Sequence, residues 1–82
     1  MFIIGVYDIK ESRVNKIRKI FDRYLNRVQK SVYEGELKDS KFKEFKSEID
    51  KVINKKEDSV IFYQVNSKNT PTSAKQVGDE LP

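Results

Sequence analysis

The chain opens with Phe2-Ile3-Ile4-Gly5-Val6-Tyr7, an apolar run that stops at Asp8. An apolar run of this length, rich in β-branched and aromatic residues, predicts a strand buried on both faces. A carboxylate at the end of such a strand is held in position by the sheet and still meets solvent, so Asp8 is a candidate metal ligand. The alternative is structural, because an aspartate between a strand and a helix commonly forms a turn or caps the helix.

Size and composition limit the classes of protein to consider. The chain has 82 residues, 37% of them hydrophobic and 37% charged, which predicts one small domain whose core gains from oligomerisation. It contains neither cysteine nor histidine, so disulfides, zinc ribbons, thiol nucleophiles and histidine general bases are excluded. Any hydrolysis is therefore expected to depend on a metal ion held by Asp8.

Targeting signals are also lacking in the sequence. The N-terminal run is too short for a signal peptide and has no basic flank or small-residue cleavage site. No other stretch approaches the roughly 20 apolar residues of a membrane span. We expect a soluble, cytoplasmic protein with no membrane contact.

The charge distribution favours a polyanionic partner. The net charge is +4 at pH 7, and all four arginines fall between Arg13 and Arg27. Arginine pairs bidentately with phosphate, so this cluster indicates nucleic acid more strongly than scattered lysines do. Lys16, Lys19 and Arg23 lie on one flank of the first predicted helix and form a basic ridge that can follow a phosphate backbone. The competing interpretation is a solvated helix surface that binds nothing.

Two amphipathic helices are predicted. The first runs from Ser12, a candidate N-cap, to Leu25; the second runs from Asp39 or Ser40, either of which could cap it, to about Asn54. In both segments the apolar residues are spaced three and four apart, which is typical of a helix with one buried face.

The remaining segments predict strands. Residues 27–35 are extended, either as one bulged strand or as a chain that folds back at Gly35. Residues 59–65 predict a second central strand, 66–71 a loop, 73–78 a weak edge strand and 79–82 a tail. This order predicts a single α+β domain over 1–82, with two helices on one face of a small, mostly antiparallel sheet.

The central strands also predict a homodimer. The runs at 2–7 and 60–65 are apolar on both faces, although the two helices can cover only one face of the sheet. Because no third helix is available, the simplest cover for the open face is the same face of a second copy. In such a dimer, residues near the twofold axis meet their symmetry mates.

Four further residues carry chemistry of interest. Tyr7, Tyr33 and Tyr63 could stack on bases, but their apolar strand positions favour core packing. Ser31 lies within the extended segment and has no histidine or evident lysine base nearby. A buried hydroxyl bonded to backbone is therefore favoured over a nucleophile.

The pattern as a whole resembles a known family. The segments Tyr7-Asp8-Ile9, then Arg13, then Arg27-Val28-Gln29-x-Ser31-Val32-Tyr33-Glu34-Gly35-x-Leu37 are similar to the second of the two core CRISPR-associated adaptation proteins. The resemblance covers residues 1 to about 65, and Val77-Gly78 is similar to a late strand of that family. It implies a ferredoxin-like homodimer that partners the CRISPR integrase in spacer acquisition.

The resemblance also implies roles for individual residues. Asp8 matches the catalytic, metal-binding aspartate, and Tyr7 matches its neighbour. Arg13 and Arg27 match basic residues that bind nucleic acid. The supporting hydroxyl and aromatic positions correspond to Ser31 and Tyr33.

Three functions remain as alternatives. The first is an endonuclease that uses Mg²⁺ or Mn²⁺ on single-stranded RNA or double-stranded DNA. The second is a basic scaffold that holds double-stranded DNA beside the integrase and cleaves nothing; one carboxylate per subunit favours it. The third is a toxin-type ribonuclease of the same fold, which neighbouring genes would distinguish.

Overall fold

The computed structural model describes residues 1–65 and the backbone of the short strand at 75–76. The elements, in chain order, are β1 (Phe2–Asp8), α1 (Glu11–Tyr24), β2 (Asn26–Gln29), β3 (Val32–Glu36), α2 (Asp39–Asp50), β4 (Ser59–Val65) and β5 (Lys75–Gln76). The strands form one sheet in the order β2-β3-β1-β4-β5, and every neighbouring pair is antiparallel. The predicted α+β, ferredoxin-like class is therefore confirmed.

The central strand β1 shows why the helices cover a single face. Ile3, Gly5 and Tyr7 are buried, and the residues between them are half-buried. Side chains alternate between the two faces of a strand, so this pattern turns one face of β1 toward the helices. At Gly5, an added Cβ would lie 2.9 Å from Cε2 of Phe21, so only glycine lets α1 approach the sheet this closely.

An aromatic cluster fills the space between helices and sheet. Phe21 of α1 lies at its centre, with ring centroids 4.9 Å from both Tyr7 and Phe45 and 5.2 Å from Tyr33. Phe62 of β4 packs at 5.9 Å from the same ring. Inclined arrangements such as Tyr7 against Phe21 suit the ring quadrupoles. The cluster thus ties α1 and α2 to the central strands.

The extended segment in the middle of the sequence is a hairpin, which corrects both alternatives predicted for it. The chain turns at Lys30 and Ser31, earlier than Gly35, and a bulge lies between Arg27 and Gln29. Gly35 lies within β3 and is paired with Ile3 of β1. An added Cβ there would lie 3.1 Å from Cδ2 of Leu25, so this glycine serves close packing and not a turn.

The predicted helix caps are wrong. α1 begins at Glu11 and α2 at Asp39; their N-cap positions are Lys10 and Lys38, and neither makes a side-chain capping bond. Glu11 and Asp39 instead place a carboxylate in each first turn, where it interacts favourably with the helix dipole.

The second helix also ends earlier than predicted. It ends at Asp50, where the amide of Val52 donates three residues back to the carbonyl of Ile49, and a separate turn follows in which the amides of Glu57 and Asp58 donate to the carbonyl of Asn54.

Neither of the two helices in the described part of the chain packs on the second face of the sheet. Pairing of β1 with β3 and β4 brings together on this open face a set of half-buried apolar residues: Phe2, Ile4, Val6, Val32, Ile61 and Tyr63. This is the two-sided apolar pattern that the sequence predicts for the central strands.

The described residues test only part of the predictions for the C-terminal segment. β5 falls within the predicted edge strand at 73–78 and pairs with Tyr63 and Gln64. The predicted loop at 66–71 and the tail at 79–82 lie outside the described residues. Within the described part of the chain, neither helix is long and apolar enough to cross a membrane.

Candidate metal site and nucleic-acid interface

Asp8 is the last residue of β1 and is paired with Ser59 of β4. Because Tyr7 points into the core, the side chain of Asp8 belongs to the open face. It is exposed, and its carboxylate makes no hydrogen bond or ion pair with residues 1–65. Asp8 therefore does not cap α1. Its carboxylate is unpaired among residues 1–65 and lies at the end of the central strand.

Within one chain, the Asp8 carboxylate alone is too few ligands for a metal site. The described residues contain no group of three or more acidic, histidine or cysteine side chains that could hold a metal ion. Mg²⁺ prefers oxygen ligands, keeps several waters and often takes only one or two protein carboxylates together with phosphate oxygens. The donor set fits Mg²⁺ or Mn²⁺ only where a second carboxylate and a phosphate complete it.

The β2–β3 turn lies at the same end of the sheet as Asp8. The amide of Tyr7 donates to the carbonyl of Ser31 at 3.1 Å, and the hydroxyl of Tyr7 donates to the carbonyl of Lys30 at 3.3 Å. Arg27, an exposed residue, donates from Nη2 to the same Lys30 carbonyl at 3.4 Å. Tyr7 therefore supports the turn that carries Ser31, and Arg27 lies toward the Asp8 end of the sheet.

The expectation for Ser31 is wrong in its details. The residue lies in a turn and is half-buried. Its hydroxyl makes no hydrogen bond within the described residues, whereas a buried, backbone-bonded hydroxyl is expected from a strand position. The hairpin turn accounts for this difference, since it moves Ser31 out of the sheet.

Tyr7 and Tyr33 are core residues, as their strand positions predict, whereas Tyr63 is half-buried on the open face. Tyr33 is fully buried, and its hydroxyl donates to Oδ1 of Asp22 at 2.7 Å. Burial, and then this bond, raise the pKa of Tyr33 far above the usual tyrosine value. Tyr7 is 5% exposed. Neither ring is accessible for stacking on a base.

Arg13 is half-buried and is bound by two carboxylates of the same chain. Its Nε and Nη2 donate to the two carboxylate oxygens of Asp58 at 2.6 and 3.0 Å, and Nη2 also donates to Glu57 at 3.2 Å. Lys10 binds the other oxygen of Glu57 through Nζ at 3.0 Å. The sequence predicts that Arg13 binds phosphate, whereas in the structure its guanidinium binds Asp58 and Glu57 of the same chain.

Asp58 is a residue that the sequence analysis missed. It is 1% exposed, and hydrogen bonds from Arg13 and from the amides of Asn54 and Lys10 hold its pKa well below the usual range. The sequence could have indicated its role, because Asp58 lies between a polar turn and an apolar strand. An aspartate in this position commonly forms hydrogen bonds with nearby backbone.

The basic ridge of Lys16, Lys19 and Arg23 lies on the exposed side of α1. Nη2 of Arg23 donates to Glu48, and its guanidinium lies 5.8 Å from the ring centroid of Tyr24. Lys16 and Lys19 have no ion-pair partner among residues 1–65. The two lysines are therefore the available cations of the ridge.

The hydroxyl of Tyr24 donates to the other oxygen of Glu48. This bond, with burial, raises the pKa of Tyr24 to about 12, and it contributes to lowering the pKa of Glu48. The effect of this network on the ridge is to hold Arg23 in one position.

The ridge and Asp8 lie on opposite sides of the sheet. The ridge belongs to the helix layer, and Asp8 belongs to the open face. The structure therefore does not bring the ridge beside Asp8 within one chain, whereas Arg27 and Ser31 do lie toward Asp8.

Comparison with known proteins identifies the family. The family model described as CRISPR associated protein Cas2 matches residues 1–72. The chain belongs to the Cas2 family. The resemblance read from the Asp8, Arg13 and Arg27–Leu37 motifs is thereby confirmed.

Relatives from several organisms agree. The chain is 51% identical over 67 residues to the CRISPR-associated endoribonuclease Cas2 of Thermotoga maritima, covering 82% of this chain and 77% of the relative. It is 43% identical over 67 residues to the protein of the same name from Pyrococcus furiosus, covering 82% and 79%.

Solved structures show the same fold. A crystal structure of Cas2 superposes with a TM-score of 0.81 at 34% identity, covering 98% of this chain and 88% of the other. Streptococcus pyogenes Cas2 superposes at 0.76 and 27% identity, covering 95% and 100%. The described residues therefore have the Cas2 fold.

Proposed function

We propose that this Cas2-family chain acts in CRISPR adaptation as a homodimeric, metal-dependent endonuclease. The observation that carries the proposal is the Asp8 carboxylate, which is exposed and unpaired within the described residues at the end of a central strand. The word endoribonuclease in the names of its relatives supports RNA as a substrate. Double-stranded DNA is the other substrate to test.

The homodimer follows from the open face. Its half-buried apolar residues would form an apolar patch on a monomer, and soluble monomers rarely expose a large contiguous one. A twofold axis through this face would bury the patch, and an axis that runs along β1 would place both Asp8 residues at the same end of the dimer. Such a dimer would supply the second carboxylate that one chain lacks.

Different residues of the chain have different roles in this proposal. The two Asp8 carboxylates would hold the Mg²⁺ or Mn²⁺ ion, and the chemistry that this ion would supply is activation of water and neutralisation of charge on the phosphate. Lys16 and Lys19 bind the nucleic-acid backbone without reading bases, since phosphate contacts carry no sequence information. Arg27, whose Nη2 donates to the Lys30 carbonyl in the β2–β3 turn, would bind a phosphate at this end of the sheet.

The experiment is Asp8→Asn, which keeps the size of the side chain and removes its charge. Cleavage of RNA or DNA with Mg²⁺ or Mn²⁺ should disappear, and dimer mass and DNA affinity should persist. Glu34→Gln is the matched control, because Glu34 is an exposed carboxylate on the open face of β3. Cleavage that persists in Asp8→Asn contradicts the proposal. Cleavage that persists after a chelator has removed all divalent metal contradicts it as well.

The second candidate function is a scaffold that holds double-stranded DNA beside the CRISPR integrase. The observation that favours it is the separation of the basic ridge from Asp8 by the full thickness of the sheet. A parent protein that binds DNA and the integrase but cleaves neither nucleic acid from neutral to alkaline pH supports this function. The family match favours both candidates over a toxin-type ribonuclease, and an integrase gene beside this one would strengthen that preference.

A further inference from the structure

Asp58 is the one charged residue that is buried in the described part of the chain. Its carboxylate accepts hydrogen bonds from the amides of Asn54 and Lys10 at 2.8 and 2.9 Å. It also accepts two from Arg13, at 2.6 and 3.0 Å. Because a buried ion pair is weak evidence for stability by itself, its position in the fold is informative.

Asp58 is connected to two segments next to Asp8, the start of β4 and the loop after β1. Asp58 directly precedes Ser59, which is the residue of β4 paired with Asp8. Its Oδ1 also holds the amide of Lys10, two residues after Asp8. Asp58 therefore fixes the neighbouring strand and the following loop at the point where the Asp8 carboxylate leaves the sheet.

Arg13 acts on the same region from α1. Nε and Nη2 of its guanidinium are directed at Asp58 and Glu57, and its side chain is only 22% exposed. The cations of Arg13 and Lys10 are balanced by the carboxylates of Asp58 and Glu57. A guanidinium bound in this way is more suited to fixing a loop than to binding a phosphate.

We propose that Asp58 and Arg13 are positioning residues for Asp8, holding the end of β1 and the loop to Lys10 so that the Asp8 carboxylate can bind a divalent metal. The inference rests on the proposed function, since it takes Asp8 to be the metal ligand. A site with one carboxylate per subunit depends on the exact placement of that group. Residues that orient a ligand therefore affect metal affinity without touching the metal.

The test is a Mn²⁺ titration of the full chain followed by nuclear magnetic resonance, with paramagnetic broadening of the Asp8 amide signal as the readout. Asp58→Asn and Arg13→Gln should each raise the Mn²⁺ concentration for half-broadening about tenfold. The double variant should show no more than the larger single effect, because the two residues act as one unit. Asp8→Asn should abolish the broadening.

The control is Ile3→Val, a core substitution in the same strand at a fully buried position. It lowers stability without touching the Asp58 contacts, so the Mn²⁺ midpoint should stay at the parent value. Asp58→Glu should restore part of the affinity relative to Asp58→Asn. If Asp58→Asn does not fold, Arg13→Gln decides the question.

The outcomes separate the two proposals. Unchanged Mn²⁺ midpoints in the variants, with a parent that binds Mn²⁺ through Asp8, overturn this inference alone. A parent without Asp8-dependent broadening overturns the proposed metal site and this inference together. A salt slope for DNA binding that falls by about one in Arg13→Gln shows that Arg13 contacts phosphate, which overturns its positioning role.

Discussion

The carboxylate of Asp58 accepts two hydrogen bonds from the guanidinium of Arg13, from Nε at 2.6 Å and from Nη2 at 3.0 Å. This bidentate pair joins the first turn of α1 to the residue before β4, across 45 positions of sequence. Charge-assisted bonds of this kind are stronger than neutral ones and are specific in geometry. The pair therefore sets how the loop after β1 lies against the start of β4.

Removing the Asp58 carboxylate should destabilise the fold. Asp58→Ala leaves two backbone amides without their acceptor and removes two of the hydrogen bonds of Arg13, which keeps its bond to Glu57, so the loss should be about 2 kcal/mol. Urea unfolding of the parent and variant measures the difference in free energy. Asp50→Ala is the control, because Asp50 is exposed and should change the value by less than about 0.5 kcal/mol. Equal losses from both substitutions would show that the pair does not stabilise the fold.

Acid should weaken the same interaction. The pKa of Asp58 in the folded protein lies below its ordinary value of 3.8, chiefly because of its bond to Arg13. The folded state then binds fewer protons than the unfolded state, so the contribution is fully present well above pH 3.8 and is lost as the pH falls below it. Unfolding free energies measured between pH 5 and pH 2 should fall more steeply in the parent than in Asp58→Asn. Parallel curves would contradict the assignment.

A charge on the open face should break the homodimer. Val6 is half-buried there and lies between Val32 and Ile61 in the sheet register. Val6→Lys should convert a dimeric mass to a monomeric one in light scattering, because an unpaired charge at the centre of an apolar interface is costly. Ser47→Lys adds the same charge on the exposed side of α2 and should leave the mass unchanged. A monomeric parent at micromolar concentration would exclude the dimer.

The basic ridge should give DNA binding its salt dependence. Lys16 and Lys19 have no ion-pair partner among the described residues, whereas Arg23 is held by Glu48. Changing both lysines to alanine should reduce the slope of log affinity against log salt by about two, and adding Arg23→Ala should change it less. Fluorescence anisotropy over a range of salt measures this slope.

The control for the ridge changes Lys38, Lys43 and Lys51 to alanine, three exposed lysines at or near α2. This variant removes the same charge as the triple ridge variant. Equal slopes in the two triple variants would mean that net charge, and not the ridge, attracts DNA.

The sequence predicted the layers of the fold because they depend on periodicity. Apolar residues three and four apart predict both helices, and the continuous apolar runs that contain Ile3 and Phe62 predict the two central strands. The hairpin turn at Lys30 and Ser31 escaped prediction. Its residues carry no glycine, and the glycine that suggested a turn, Gly35, is needed where Leu25 packs against β3.

The sequence by itself determined the α+β class, the two-sided apolar character of the central strands and the position of Asp8 at the end of β1, since these follow from local patterns of hydrophobicity. Only the tertiary structure decided what each charged side chain meets. Arg13 and Asp58 are 45 residues apart, so their pairing depends on how α1 and β4 pack together. For the same reason, the separation of the basic ridge from Asp8 became visible only when the helices were placed on one face of the sheet.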